Sequence, residues 1–164
     1  MIANFLLFIF PLLLMAVPVL LYQKEGNAKR IRFFTALALS SNARKLVVNI
    51  VALIVILFHL VFYAVFPSDY GIMFSTILVF VLLSTKRCEK LLQTVRNNLR
   101  FQAAIFILIL VSAFTPHLLS LAITMAFMLE ASYIFPSKHI KKFILDHHED
   151  EPDYEEKFLD AYFK

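Results

Sequence analysis

Residues 44–85 read RKLVVNIVALIVILFHLVFYAVFPSDYGIMFSTILVFVLLST. Two apolar segments, Leu46 to Phe66 and Gly71 to Thr85, flank the turn Phe66-Pro67-Ser68-Asp69-Tyr70. The first is long enough, at about 1.5 Å per residue, to cross a hydrocarbon core of about 30 Å. Pro67, Asp69 and Gly71 are turn formers, so the stretch reads as a hairpin of two membrane helices. Along the first segment Asn49, Ala52, Ile56, His59 and Tyr63 recur at steps of three and four. On a helix they share one mildly polar stripe.

Composition extends that reading to the whole chain. Sixty per cent of the 164 residues are hydrophobic, beyond the range of ordinary soluble domains. The fold class expected is an all-α, polytopic membrane bundle. Its two glycines, Gly26 and Gly71, leave no glycine-rich nucleotide loop and no GxxxG crossing. The lone Cys88 excludes an internal disulfide and a cysteine-rich metal site. Lying beside a span, it is a candidate for lipidation.

The sixteen Lys and Arg residues fall in three polar stretches, 23–45, 86–100 and 138–164, and none lies inside an apolar segment. That distribution orients the chain with these stretches on the cytoplasmic side. Ile2 to Tyr22, containing Pro11 and Pro18, reads as an uncleaved first span because no basic residue precedes Lys24. Residues 101–135 are too long for one span, and Thr115-Pro116-His117 divides them. Two helices return Lys138, Lys141 and Lys142 to the side of the other basic loops. Five spans are expected, near 2–22, 46–66, 71–85, 101–114 and 117–135, with the N-terminus outside and the C-terminus cytoplasmic. The transmembrane domain would cover 1–145 and an acidic tail 146–164. The charge rule reads alike in a bacterial inner membrane and in the endoplasmic reticulum.

Two loops have amphipathic character. Ile31, Phe34, Leu37 and Ala38 share a face beside Lys29, Arg30 and Arg32. Leu91, Leu92, Val95 and Leu99 oppose Gln93, Arg96, Asn97 and Arg100. Both suit helices lying at the membrane interface, with Lys29, Arg30, Arg32, Lys90, Arg96 and Arg100 as contacts for anionic headgroups. In the tail, a helix opening at Pro152 would align Tyr154, Phe158, Leu159, Tyr162 and Phe163 on an aromatic face. So short a helix is marginal alone in water, so that face needs the protein's own loops, the bilayer or a partner to lie on. It is the candidate partner-docking element.

The ionisable residues at membrane depth are His59 and Glu130, with His117 at an outer turn. Burying such groups is costly, which makes them candidates for function. Ala122, Ala126 and Glu130 form a small-residue stripe ending in a carboxylate, which would pair with Lys138 or Arg87, handle ions or protons, or make an inter-subunit contact. Asn49, His59 and Tyr63 are candidate intramembrane polar contacts, with Ala52, Ala122 and Ala126 as helix-packing positions. No HExxH, nucleophile elbow or P-loop occurs. His147-His148 are adjacent and do not converge on one ion in a regular helix. No catalytic residue, metal, cofactor or nucleic acid is expected. The function expected is non-enzymatic: a subunit or anchor of a larger membrane complex, docking partners through its cytoplasmic loops and tail. The alternatives are a homo-oligomeric channel or membrane-permeabilising effector, and a membrane immunity or exclusion protein. Partners would be membrane lipids and either another protein or further copies of the chain.

Overall fold

Local chemistry sets where each helix begins and stops. The computed structural model describes residues 28–147 and 153–163, and no strand occurs among them. The expected span at 2–22 and most of the acidic run before residue 153 lie outside the described residues. Eight helices follow in order: α1 (Ala28–Leu39), α2 (Ser41–Val65), α3 (Gly71–Leu83), α4 (Thr85–Asn97), α5 (Leu99–Phe114), α6 (Leu119–Ile134), α7 (Lys138–Asp146) and α8 (Tyr154–Phe163).

Ser40, Asn98 and Ser137 cap α2, α5 and α7, each side-chain oxygen accepting a backbone N–H three residues on at 3.3 Å. Pro67 stops α2, because the residue before a proline is pushed out of the helical region. Ser84 is extended, and across it α4 turns 108° away from α3. Residues 115–118 make the tight turn between α5 and α6. There His117 adopts a left-handed backbone, φ 65°, which closes the turn. Residues 101–135 therefore form two helices packed as a hairpin.

By length and hydropathy two stretches can cross a membrane, α2 and Leu119–Asp146, the latter opened by α6. A third results if the bent α3–α4 pair is one span. α5 is apolar but shorter. That arrangement fits transmembrane helices and is consistent with membrane localisation. Its outward belt includes Leu53, Leu57, Leu60, Phe74, Ile77, Phe80, Ile107 and Phe114, all exposed, a surface that only lipid or another apolar partner would solvate favourably.

The bundle interior is built in layers. Val48, Ala52 and Val55 of α2 meet Leu82, Cys88, Leu92, Met128, Ala131 and Phe135 in the central cluster. Phe62, Ile72 and Ile123 fill the end nearest the turns, while Val95, Ile105, Ile109, Ala126 and Leu129 join α4 to the α5–α6 hairpin. The fourth cluster lies at the opposite, basic end. There Ile31, Phe34 and Ala38 of α1 and Ile140 of α7 receive Tyr154, Phe158, Ala161 and Tyr162 of α8. The tail helix thus lies on the protein's own loops.

Candidate functional site

The turn end of the bundle is held by one acid. Asp69 is buried, and its Oδ1 accepts the Gly71 N–H at 2.7 Å and the Ser120 hydroxyl at 3.0 Å. Its Oδ2 accepts the Ser120 N–H at 3.1 Å. One carboxylate thus receives backbone donors from the first turns of both α3 and α6, where donors are otherwise unsatisfied and the helix dipoles favour negative charge. The Gly71 N–H also donates to the His117 carbonyl at 2.9 Å. Sequence reading places Asp69 in a turn and misses this bridge; the signal is a lone acid between two apolar segments.

Midway along the bundle, His59 faces α3. Its Nδ1 lies 3.0 Å from the buried Ser75 Oγ and its Nε2 3.4 Å from Thr76 Oγ1. The Ser75 and Thr76 hydroxyls each donate to the Ile72 carbonyl, at 3.0 and 2.6 Å. His59 is thereby a bridge between α2 and α3. The rest of its stripe divides: Ala52 is buried in the central cluster, whereas Asn49 and Tyr63 are exposed. Ala122 and Ala126 are fully buried at the packed face of α6.

The basic end carries a second, partly buried polar knot. Arg44 Nε pairs with Glu89 Oε1 at 2.8 Å, and its Nη1 donates to the Leu37 and Ala38 carbonyls at 3.2 and 3.0 Å. It ties the last turn of α1 to the starts of α2 and α4, using the orphan carbonyls of a helix terminus. Arg96, expected at headgroups, is instead buried: Nη2 donates to the Tyr162 carbonyl and the guanidinium lies 5.4 Å from the Tyr133 ring centroid. Tyr162 of α8 and Tyr133 of α6 meet the guanidinium on a face of α4 that would otherwise be wet. Burial pushes the Tyr162 phenol up, and its hydroxyl donates to the Ile134 carbonyl at 2.5 Å.

The chain matches no protein-family model, and no curated protein or solved structure is similar to it. Its residues alone must carry any reading of function.

Of the expected headgroup contacts, Arg32, Lys90 and Arg100 are exposed, and Lys90 lines a polar hollow of about 300 Å³ with Asn97, Asn98 and Lys138. Lys29 and Arg30 belong to α1 by backbone, their side chains lying outside the described residues. In α8 the docking face is already covered: Tyr154, Phe158 and Tyr162 are buried and Leu159 is partly so. The side chain of Phe163 lies outside the described residues. Cys88, read as accessible, is fully buried in the central cluster, and burial together with the neighbouring Glu89 pushes its thiol up to about 11. Lipidation does not fit a thiol so placed.

Among the described residues no cluster of three His, Cys, Asp or Glu side chains is arranged to hold a metal. His147 stacks on Phe143, ring centroids 4.2 Å apart, with Nδ1 3.2 Å from the Phe143 carbonyl. Glu130 pairs with neither Lys138 nor Arg87. It lies half-buried on the wall of a groove of about 330 Å³ between α1, α2 and α6, whose other walls are apolar.

Proposed function

We propose that this is a non-enzymatic integral membrane protein serving as a subunit or anchor of a larger membrane complex. It would span the membrane five times, with 2–22 first and α2, α3, α5 and α6 after it, N-terminus outside and C-terminus cytoplasmic. In this reading α1, α4, α7 and α8 form a layer on the cytoplasmic face, and that layer docks the partner. The carrying observation is that α8 folds back onto α1 and α7 and is fastened there by Arg96, which turns the loops and tail into one surface. Its outward side is strongly polar: Lys138, Lys141 and Lys142 are exposed on α7, and Asp153, Glu155 and Glu156 at α8. Docking would therefore use these charged outer faces rather than the aromatic face.

The test is the mass and composition of the protein after mild-detergent extraction from its native membrane. Light scattering with mass spectrometry should find a stoichiometric second chain, lost when Lys141 and Lys142 are changed to Glu. A monodisperse lone monomer would overturn the reading.

A homo-oligomeric channel is the second reading, favoured by Asn49 and Tyr63, polar side chains exposed on the flank of a largely unburied span. It requires a defined homo-oligomer that conducts in planar bilayers.

A further inference from the structure

The groove between α1, α2 and α6 combines two properties that rarely coexist. Its walls are apolar, with Phe33, Ile50, Ile54 and Phe127 among them, and its volume of about 330 Å³ is that of a small-molecule site. In that wall stands one carboxylate, Glu130, without a hydrogen bond or ion pair among the described residues. Arg96 is turned to Tyr162 and Tyr133, Lys138, Lys141 and Lys142 are exposed, and the side chains of Lys29 and Arg30 at the start of α1 lie outside the described residues.

We propose that this groove binds a lipophilic organic cation, with Glu130 as its counter-charge. The argument is one of elimination by charge and polarity. An uncharged chain would leave the carboxylate either ionised in apolar surroundings or obliged to take up a proton, each at a cost. An anion would be repelled by it. A small hydrated metal ion would find one carboxylate and no other oxygen ligands, too few for a hard cation. A cation wrapped in apolar groups satisfies the charge and fills the walls together. Phe33 and Phe127 add aromatic faces, which attract such cations.

Residues 2–22 of the chain contain no Lys or Arg, so that segment offers Glu130 no countercharge. Its occupancy of the groove is one outcome the test separates. The site does not depend on the partner-docking reading.

The experiment is equilibrium binding of tetraphenylphosphonium to the full-length protein in a non-ionic maltoside detergent, which supplies no competing cation. Wild type should bind saturably with one site per chain. Glu130→Gln should weaken binding at least tenfold, and Glu130→Asp should retain part of it. Ile50→Phe, at an exposed position of the groove wall, narrows the groove and leaves the carboxylate in place, and should weaken binding comparably. Asp146→Asn, exposed at the end of α7, should leave it unchanged. Should Glu130→Gln fail to fold, the Ile50→Phe result decides. Equal affinity of wild type and either groove variant overturns the proposal. So does the absence of saturable binding by wild type, the result expected if residues 2–22 fill the groove.

Discussion

Asp69 and Ser120 stand 51 positions apart in sequence and are joined twice, hydroxyl and backbone N–H each donating to the same carboxylate. With the Gly71 N–H, three donors converge on Asp69. Hydrogen bonds to an ionised group are worth about 1.5–3 kcal/mol each, and a buried donor left unpaired costs about 1–3 kcal/mol. Asp69→Ala should therefore lower stability by at least about 2 kcal/mol, and Ser120→Ala, which keeps the backbone donor, by about 1 kcal/mol. Unfolding in mixed detergent micelles measures both. Equal, negligible losses would show that the bridge holds nothing together.

Gly71 tests the same place by volume. A Cβ there would lie 2.6 Å from Ser120 Oγ, 2.7 Å from Asp69 Oδ1 and 3.0 Å from the Leu121 backbone nitrogen. The two side-chain oxygens are held by the bridge itself and the nitrogen is backbone, so none can give way without breaking that bridge. Gly71→Ala should destabilise, and pairing it with Ser120→Ala should recover part of the loss, because one of the three clashes disappears. A double-mutant cycle reads the coupling.

Cys88 yields a reactivity prediction. The thiolate is the reactive form, and a thiol pushed up to about 11 stays protonated throughout the neutral range. It is also fully buried. A maleimide at neutral pH should leave the folded protein unlabelled and label it once after denaturation. Rapid labelling of the folded state would contradict the packing of α4 against α2.

Arg96 and Phe158 decide whether α8 stays docked. Phe158→Ala removes a fully buried ring from the α1–α7–α8 cluster and should cost about 3–5 kcal/mol. Arg96→Ala removes the donor to the Tyr162 carbonyl and the cation beside Tyr133, and should loosen α8 without disturbing the spans. Limited proteolysis between α7 and α8 is the measurement, with cleavage faster in both variants than in wild type. Arg96→Lys should fall between, since an ammonium lacks the planar fork that donates while lying against a ring.

Much of the helix plan is legible in sequence because its punctuation is local. Pro67 ends α2 by its effect on the residue before it, and Thr115-Pro116-His117 carries its own turn chemistry. What sequence hides is what the polar residues touch. The rule that places a side chain opposite an apolar stripe puts Arg96 in solvent, and it fails because Tyr133 and Tyr162, distant in sequence, meet its guanidinium there. Cys88 is misplaced for a related reason: it lies next to basic residues, yet the 108° turn at Ser84 rolls it into the central cluster. Glu130 reads as a partner of Lys138 from proximity in the chain, and the groove sets its carboxylate among apolar walls instead. Periodicity gives a residue's face, and only packing tells what that face meets.

The docking of α8 on α1 also bears on biosynthesis. Ile31, Phe34 and Ala38 leave the ribosome long before Tyr154, Phe158 and Tyr162, so α1 waits with its apolar face uncovered while every helix between is made and inserted. A chain interrupted before residue 154 would keep that face exposed permanently. Such products would display the kind of surface that cellular proteases and chaperones recognise, so the arrival of α8 is the event that hides α1 from them.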